Sequence, residues 1–215
     1  MPLDLWLAFV AAAFVLLMIP GPTVLLVLSY ALSQGRRVAL ATAAGVALGD
    51  LVAMSASLAG LGVLVATSAA LFSALKWLGA GYLVWLGWRL WRAAPAVMAG
   101  AEAGAGPGAG AQPDLPARGV FVHAATVTAL NPKSIAFFIA FVPQFLRPEA
   151  AMLPQATILT ATFVGLAALN TLAYALLADR MGARLRRPGA GRWLNRVGGG
   201  ALIGMGVMTA TLRRA

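Results

Sequence analysis

Six long apolar segments alternate with short polar stretches along the chain. A helix needs about 20 consecutive, predominantly apolar residues to cross the hydrocarbon core of a bilayer, and the segments are close to that length or longer. They lie at 5–32, 38–66, 69–91, 119–146, 152–178 and 194–212. The pattern therefore predicts an all-α membrane protein with six transmembrane helices.

Prolines interrupt the first and the fourth of these segments. The first contains Pro20-Gly21-Pro22, and the fourth contains Asn131-Pro132-Lys133. Proline has no backbone N–H, and its ring clashes with the carbonyl four residues earlier, so each break leaves carbonyls without helical partners. Such groups are tolerated within a membrane only when protein or a polar cavity receives them. We therefore predict two interrupted helices that border a site; a simple packed proline kink is the alternative.

The two halves of the chain contain similar motifs in the same order. The matches are Phe9-Val10 with Phe121-Val122, Ile19-Pro20 with Asn131-Pro132, Gly45 and Asp50 with Gly165 and Asn170, and Gly79, Gly81 and Gly87 with Gly198, Gly200 and Gly206. Two copies of a three-helix unit must cross the membrane in opposite directions. The sequence thus predicts an inverted repeat of the kind found in secondary transporters.

A segment rich in alanine, glycine and proline joins the two halves. It covers residues 93–118 and has too little bulky apolar surface to fold by itself. We therefore expect a first three-helix repeat at 1–92, a flexible linker at 93–118, and a second three-helix repeat at 119–215.

The composition agrees with a membrane protein and excludes several kinds of site. Of the 215 residues, 61% are hydrophobic and 10% are charged, and the mean hydropathy is +0.86. The net charge of +10 does not indicate a nucleic-acid partner, because the basic residues lie at the ends of apolar segments. The chain has no cysteine and one histidine, His123, which argues against thiolate chemistry and most metal sites.

The basic residues are divided unequally between the two sets of loops. The odd-numbered loops hold Arg36, Arg37, Arg89, Arg92, Arg118, Arg180, Arg184, Arg186, Arg187, Arg192 and Arg196. The opposite side holds only Lys76, Arg147, Arg213 and Arg214. The bias predicts cytoplasmic odd loops and external termini. Residues 1–4 lack the basic residues of a signal peptide, so we expect the first segment to be retained.

Asp50 and Lys133 are the ionisable residues nearest the middle of the predicted spans. A carboxylate at the bilayer centre costs about 2.5–3.5 kcal/mol on insertion scales, so Asp50 should be either protonated or paired with a cation. Lys133 lies at comparable depth and is the candidate partner. The functional interpretation is a site that exchanges a proton or binds a substrate's ammonium group; the alternative is a static Asp50–Lys133 pair.

The two breaks add further polar groups at this depth. A helix that restarts at Pro22 would present the N–H groups near Thr23 to a carboxylate. Asn131 and Lys133 add an amide and an ammonium, and Asn170 either joins the site or makes a simple interhelical hydrogen bond. We predict a zwitterion site with Asp50 as the proton-coupling group and with no catalytic residue, metal or cofactor. Its residues are Pro20, Gly21, Pro22, Thr23, Asp50, Asn131, Pro132, Lys133 and Asn170.

These motifs, taken in order, resemble the lysine exporter (LysE/RhtB-type) family of bacterial amino-acid export permeases. The similar pieces are Pro20-Gly21-Pro22-Thr23, Ser33-Gln34-Gly35-Arg36-Arg37, Gly45 to Asp50, Leu78-Gly79-Ala80-Gly81-Tyr82-Leu83, and Asn131-Pro132-Lys133 with Phe141-Val142-Pro143-Gln144-Phe145. The resemblance implies a multi-pass protein of the bacterial inner membrane that exports amino acids or close derivatives with the proton gradient. The homoserine/threonine branch is more similar than the basic-amino-acid branch. The linker and the Arg-rich fifth loop do not match the family pattern.

Two other functions remain open from the residues alone. An exporter of another small cation or metal ion would have only oxygen and methionine ligands, which disfavours a soft metal. An intramembrane hydrolase would need a partner for Asp50, yet no second aspartate is placed to form a dyad, so we predict that the protein is not an enzyme. Small-residue stripes permit homo-oligomers: Ala41, Gly45 and Gly49, and Gly200 and Gly204.

Overall fold

The computed structural model describes residues 1–19, 21–34, 38–93, 115–147, 149–177 and 188–211. Within these ranges the regular secondary structure is helical. The α-helices are α1 Leu3–Met18, α2 Pro22–Gln34, α3 Ala39–Thr67, α4 Ala69–Arg92, α5 Ala117–Ala129, α6 Pro132–Ala140, α7 Met152–Leu176 and α8 Pro188–Thr211. A short 3₁₀ helix, Val142–Phe145, follows α6.

Two pairs of consecutive helices are bent at short breaks. The axes of α1 and α2 differ by 59°, and those of α5 and α6 differ by 45°. Three further helices, α3, α4 and α7, are each long and apolar enough to cross a membrane, which gives five spans if each bent pair counts as one. Helix α8 carries Arg192, Asn195 and Arg196 near its start and is not among them.

Large apolar side chains cover much of the outer surface. Several of them are more than half exposed, including Leu3, Leu40, Trp77, Leu78, Leu153 and Leu169. A soluble monomer rarely exposes so much apolar surface, whereas hydrocarbon is a suitable environment for it. The chain is therefore an all-helical membrane protein.

Helix α3 packs closely against α5 because two glycines lie at the contact. A Cβ atom added at Gly49 would lie 2.6 Å from the carbonyl oxygen of Ala125 and 2.7 Å from the Cβ of Thr128. Gly45 lies equally close to the backbone of Phe121. The small-residue stripe that the sequence offered for oligomerisation is thus used, at these two positions, inside the chain.

Helices α4 and α8 pack through a reciprocal glycine contact. A Cβ at Gly87 would meet the carbonyl of Gly199 and the side chain of Ile203. A Cβ at Gly206 would meet the carbonyl of Ala80 and the side chain of Val84. Each helix therefore has a glycine that packs against a backbone carbonyl and a β-branched side chain of the other helix.

An aromatic cluster fixes α6 within the bundle. The ring of Phe163 on α7 lies 6.0 Å from that of Phe137 and 4.8 Å from that of Phe138. Phe145 in the 3₁₀ helix lies 5.3 Å from Phe9 on α1. Aromatic rings at these separations attract one another, so α6 is held against α7 and the 3₁₀ helix that follows it is held against α1.

Several predictions concern residues outside the described ranges. They include most of the predicted linker, at 94–114, and the basic loop residues Arg36, Arg37, Arg180, Arg184, Arg186, Arg187, Arg213 and Arg214. The predicted orientation of the chain in the membrane and the predicted division into two repeats and a linker therefore stay predictions.

Candidate functional site

The first break begins where α1 ends, just before Pro20. The residue before a proline is driven into extended backbone, and Ile19 has φ −73° and ψ 120°. A helix end leaves its last carbonyls without helical partners, and Pro20 and Pro22 have no N–H to supply. The N–H of Ile19 donates to the carbonyl oxygen of Leu16 at 3.2 Å, and the oxygens of α1 that face this break need further donors from other helices.

Lys133 binds two of these carbonyls. Its Nζ donates to the carbonyl oxygen of Leu16 at 3.1 Å and to that of Ile19 at 2.9 Å. The side chain is buried, with 8% of its surface exposed. A cation at the C-terminal end of a helix also interacts favourably with the helix dipole. Lys133 therefore donates hydrogen bonds to the carbonyls at the end of α1 and also offsets the partial negative charge of this helix end.

Two side chains of α7 bind the remaining carbonyls of this helix end. Asn170 donates from Nδ2 to the oxygen of Leu17 at 3.2 Å, and Tyr174 donates from its hydroxyl to the oxygen of Met18 at 3.4 Å. Asn170 and Tyr174 are four residues apart, so they lie on one face of α7. All the side chains that receive the end of α1 thus come from the second half of the chain.

The second break is closed mainly by its own residues. Asn131 precedes Pro132 and is extended, with φ −70° and ψ 110°. Its Oδ1 accepts from the backbone N–H of Lys133 at 3.1 Å, which makes it the N-cap of α6. Its own N–H donates to the carbonyl of Thr128 at 3.1 Å, so the carbonyl that Pro132 cannot bind has a backbone partner.

The two breaks contact each other. The amide Nδ2 of Asn131 donates to Oγ1 of Thr23 at 3.2 Å, and the hydroxyls of Thr23 and Thr128 are 3.4 Å apart. Thr23 lies near the start of α2, so these bonds link the first break directly to the second.

A cavity lies beside the two breaks, with about 420 Å³ of space between the atoms, counting its opening to the surface. Leucine, valine and alanine side chains form its apolar wall. Its polar lining consists of Thr23, Asp50, Asn131, Lys133, Ser134, Asn170, Thr171 and Tyr174. Helices α2, α3, α6 and α7 therefore each contribute polar groups to one small space.

Asp50 reaches this cavity from α3 and has no bound partner. The residue is only 2% exposed. Among the described residues, no group donates a hydrogen bond to its carboxylate and no cation lies within 4.0 Å of it. Lys133 lines the same cavity but is bonded to the carbonyls of α1 instead. The structure therefore does not contain the static Asp50–Lys133 ion pair that was the alternative interpretation of the sequence.

Asn170 also presents an unpartnered oxygen. Its Oδ1 is buried and has no hydrogen-bond partner among the described residues, while its Nδ2 is bound to Leu17. A buried acceptor without a donor costs about 1–3 kcal/mol, which a ligand that donates hydrogen bonds would remove. The free groups of Asp50 and Asn170 are both acceptors, so the cavity is suited to a positively charged donor.

The nine predicted substrate-binding residues are placed unequally around this cavity. Thr23, Asp50, Asn131, Lys133 and Asn170 line it. Gly21 lies against Lys133, where an added Cβ would be 3.3 Å from Nζ.

The predicted prolines do not line the cavity where they are described. Pro22 and Pro132 are exposed and begin α2 and α6, so their effect is on the backbone. Pro20 lies outside the described residues.

Three polar residues of the cavity were absent from the sequence prediction. Ser134 follows Lys133 directly, Thr171 follows Asn170, and Tyr174 lies one helical turn beyond Asn170. The helical spacing from Asn170 to Tyr174 was the available signal. Among the described residues, no group of three His, Cys, Asp or Glu side chains is placed to hold a metal ion.

Comparisons with known proteins give consistent matches. The family model described as LysE type translocator matches residues 14–212. A membrane protein of Vibrio cholerae is 32% identical over 213 residues, covering 99% of this chain and 100% of that protein. The homoserine/homoserine lactone efflux protein of Salmonella typhimurium is 32% identical over 216 residues and is covered completely, as is this chain.

The leucine efflux protein of an Enterobacter species is 33% identical over 161 residues, which are 74% of this chain and 72% of that protein. No solved structure gives a significant match. The family resemblance read from the proline breaks and glycine motifs is thus confirmed over nearly the whole chain. The protein belongs to the LysE type translocator family.

Proposed function

We propose that this protein exports amino acids or close derivatives, such as homoserine, threonine-like compounds or other small zwitterions, across the bacterial inner membrane. The observation that carries the proposal is the small cavity between the two breaks, whose walls hold a carboxylate that no described residue binds and a buried ammonium. Two relatives are named for the efflux of homoserine, homoserine lactone or leucine. These compounds share an amino group, which the acceptors of the cavity suit.

The proposed substrate site has separate regions for the two charges of a zwitterion. The ammonium group would bind the carboxylate of Asp50 and the Oδ1 of Asn170, to which no described residue donates a hydrogen bond. Lys133 is the cation available to a carboxylate, and Thr23 and Asn131 border the same space. The backbone turns made by Pro20, Gly21, Pro22 and Pro132 shape the breaks.

We further propose that Asp50 couples export to the inward flow of protons. A buried carboxylate without a partner is costly in a membrane, and either a proton or a substrate ammonium removes that cost. If the two alternate on Asp50, substrate leaves as a proton arrives, and the two flows run in opposite directions. The support is the position of Asp50 on the cavity and the fact that no cation of the described residues lies within 4.0 Å of its carboxylate.

The proposed architecture is six transmembrane helices in two inverted repeats, at 1–92 and 119–215, joined by a linker and with both termini external. The reciprocal contact of Gly87 with α8 and of Gly206 with α4 supports this arrangement. In two inverted repeats the third helices are equivalent, so each would use the same kind of residue to contact the other. Each half also contains one bent helix pair. A reporter fused after the last residue that is active only in the cytoplasm would contradict the orientation.

A small inorganic cation is the second candidate substrate. The free groups of Asp50 and Asn170 are oxygen acceptors, and oxygen ligands also bind hard cations. A buffer that contains a metal chelator distinguishes the two candidates. If the substrate is an amino acid, export should continue in this buffer; if it is a metal ion, export should stop.

The purified protein in liposomes tests these proposals together. Vesicles loaded with labelled homoserine should release it faster than protein-free vesicles, and faster when the outside is more acidic than the inside. Reversal of the pH gradient should slow the release, and a metal chelator should leave it unchanged. Release at the rate of protein-free vesicles for homoserine, threonine and leucine would contradict the proposed function; release without any effect of the gradient would contradict proton coupling alone.

A further inference from the structure

The acceptors around the cavity fall into two groups that differ in what binds them. Asp50 and the Oδ1 of Asn170 have no donor among the described residues. The carbonyls of Leu16 and Ile19 are both bound by Lys133. The one ammonium group on the cavity wall, as far as the chain is described, is therefore bound to backbone oxygens rather than to the nearby carboxylate.

The bound group of Lys133 has the same chemistry as the group that the cavity is proposed to receive. A lysine side chain and an amino-acid substrate both end in –NH₃⁺, which has three donors and no acceptor. Lys133 already occupies two acceptors at the end of α1, at 3.1 Å and 2.9 Å. The structure thus shows how an ammonium group binds at this helix end.

Two ammonium groups repel each other strongly in a small cavity of low dielectric constant. One of them must move when a substrate binds, and Lys133 has a flexible stem of four carbons that lets its head change position. The head of Lys133 lies close to Gly21, where an added Cβ would be 3.3 Å from Nζ, so the glycine keeps a side chain away from the ammonium. Rotation about the bonds of the lysine stem is therefore the way in which the ammonium would leave the carbonyls.

We propose that Lys133 is an internal competitor for the substrate's amino group, occupying the carbonyls at the end of α1 until an amino compound displaces it. This inference rests on the proposed function, and it states which group binds the carbonyls at the end of α1 when the substrate site is empty. When Lys133 leaves, the carbonyl of Leu16 keeps the N–H of Ile19 at 3.2 Å. The substrate's ammonium has three donors, so beside Asp50 and the Oδ1 of Asn170 it can take the place of Lys133 at the carbonyl of Ile19. The displaced Lys133 is free to pair with the carboxylate of an amino acid.

The proposal predicts opposite contributions of Lys133 for two related ligands. Homoserine lactone has an amino group and no carboxylate, so Lys133 only competes with it. Homoserine has both groups, so Lys133 competes with its amino group and then binds its carboxylate. Removal of the Lys133 charge should therefore favour the lactone more than homoserine.

Equilibrium binding to the purified full-length protein in detergent tests this prediction. Lys133→Met removes the charge and keeps an unbranched side chain. We expect this variant to bind the lactone at least about tenfold more tightly than wild type does, because the lactone no longer has to displace a charged hydrogen-bond donor, and one such bond corresponds to about that change in affinity. The affinity for homoserine should rise less or fall. Lactone affinity that stays the same or falls would overturn the proposal.

Two matched variants separate competition from general effects of a lysine substitution. Lys133→Arg keeps a cation with several donors and should not show the gain. Lys76→Met changes the other lysine of the chain, which lies on α4 away from the cavity lining, and should bind both ligands as wild type does. An equal gain in all three variants would also overturn the proposal.

A second measurement does not depend on whether Lys133→Met folds. Protein labelled with ¹⁵N at the lysine Nζ has two signals to assign, and Lys76→Arg identifies the one from Lys133. We expect saturating lactone to shift the Lys133 signal and leave that of Lys76 in place. Lactone that binds wild type without moving the Lys133 signal would overturn this inference alone, whereas failure of wild type to bind either ligand would overturn the proposed function as well.

Discussion

The two helix breaks close in different ways although both arise from a proline. At the first break, the carbonyls of α1 are bound by Lys133, Asn170 and Tyr174, which belong to α6 and α7. At the second break, Asn131 caps α6 with its side chain and binds Thr128 with its backbone. The carbonyl four residues before each proline has a backbone partner, because Ile19 donates to Leu16 as Asn131 donates to Thr128. The first break nevertheless uses side chains from the second half of the chain to bind the oxygens of Leu17, Met18 and Ile19, whereas the second closes mainly with its own residues.

The difference extends to positions 50 and 170, which match in the predicted repeat. Asn170 donates to a carbonyl of the first break, whereas Asp50 binds no carbonyl of the second, and no described residue donates a hydrogen bond to its carboxylate. We infer that the locally closed second break is the fixed wall of the site. The first break, with exchangeable donors opposite a free carboxylate, is the part that responds to a substrate.

The largest effect should come from removing this difference at Asp50. Asp50→Asn would place the same residue at both matched positions, and we expect homoserine release from liposomes to fall to the rate of protein-free vesicles. The free energy of unfolding should stay equal or increase, because a carboxylate at membrane depth costs about 2.5–3.5 kcal/mol on insertion scales and the amide costs less.

Asp4→Asn is the matched control for this prediction. Asp4 is an exposed carboxylate in the first turn of α1, far along the helix from the break. Its variant should release homoserine at the wild-type rate. If Asp50→Asn still transports homoserine, Asp50 is not the proton-coupling residue. The difference between the two breaks would then have no role in transport.

The next largest effect should come from crowding the helix that leads into the second break. In Gly49→Ala, the new methyl group would lie 2.6 Å from the carbonyl of Ala125 and 2.7 Å from the Cβ of Thr128, so α3 and α5 must move apart. Overpacking of this kind costs about 1–3 kcal/mol. We expect a lower unfolding temperature together with slower homoserine release, since Thr128 and Asp50 adjoin the contact.

Gly60→Ala tests whether the effect of Gly49→Ala is one of space. Gly60 lies in the same helix, and an added Cβ there would have no atom within 4 Å. Its variant should unfold at the wild-type temperature or above it, because alanine is the better helix former. Equal destabilisation by both substitutions would mean that helix propensity, not the α3–α5 contact, controls stability here.

The sequence was sufficient to locate the breaks because their cause is local. A proline removes one donor and restricts its neighbour wherever it occurs, so the carbonyls of Leu16, Met18 and Thr128 could be named as those needing new partners. Most of the helix bounds also followed from apolar length, although α8 begins at Pro188 rather than at the predicted 194, because its first turns are polar. Asp50, Lys133 and Asn170 stood out because polar residues are rare at such depth.

The partners of those carbonyls could not be predicted, because they depend on how distant helices pack. Opposite charge favoured an Asp50–Lys133 pair, yet Lys133 binds the end of α1. Tyr174 was missed because a tyrosine in an apolar helix has no distinctive pattern. Side-chain direction was equally hidden: Pro22 and Pro132 mark the site in the sequence but are exposed in the structure.

A smaller effect is expected from removing the local cap of the second break. Asn131→Ala loses the bond from Oδ1 to the N–H of Lys133 and the bond from Nδ2 to Thr23. Loss of an N-cap costs about 1 kcal/mol. Thermal unfolding in detergent should show that decrease, and Asn131→Ser, which keeps a capping oxygen without adding a charge, should recover most of it. No recovery would mean that the contact with Thr23, rather than the local cap, stabilises the second break.

The smallest effect should come from Tyr174→Phe at the first break. The substitution keeps the buried ring and removes only the hydroxyl, whose bond to the carbonyl of Met18 is long at 3.4 Å. Interhelical hydrogen bonds in membranes are worth about 0.6 kcal/mol on average, so we expect a loss of that size or less in the free energy of unfolding.

Tyr82→Phe on α4, whose ring packs against Trp85, serves as the control for loss of a tyrosine hydroxyl. The comparison between the two variants shows how much the Tyr174 hydroxyl, relative to the Lys133 ammonium, contributes to binding the carbonyls of the first break. If Lys133 is the main donor to the end of α1, Tyr174→Phe and Tyr82→Phe should be nearly equal in stability. A loss well above 1 kcal/mol in Tyr174→Phe alone would identify the hydroxyl, rather than the ammonium, as the group on which the first break depends, and the break would then stay closed when Lys133 leaves.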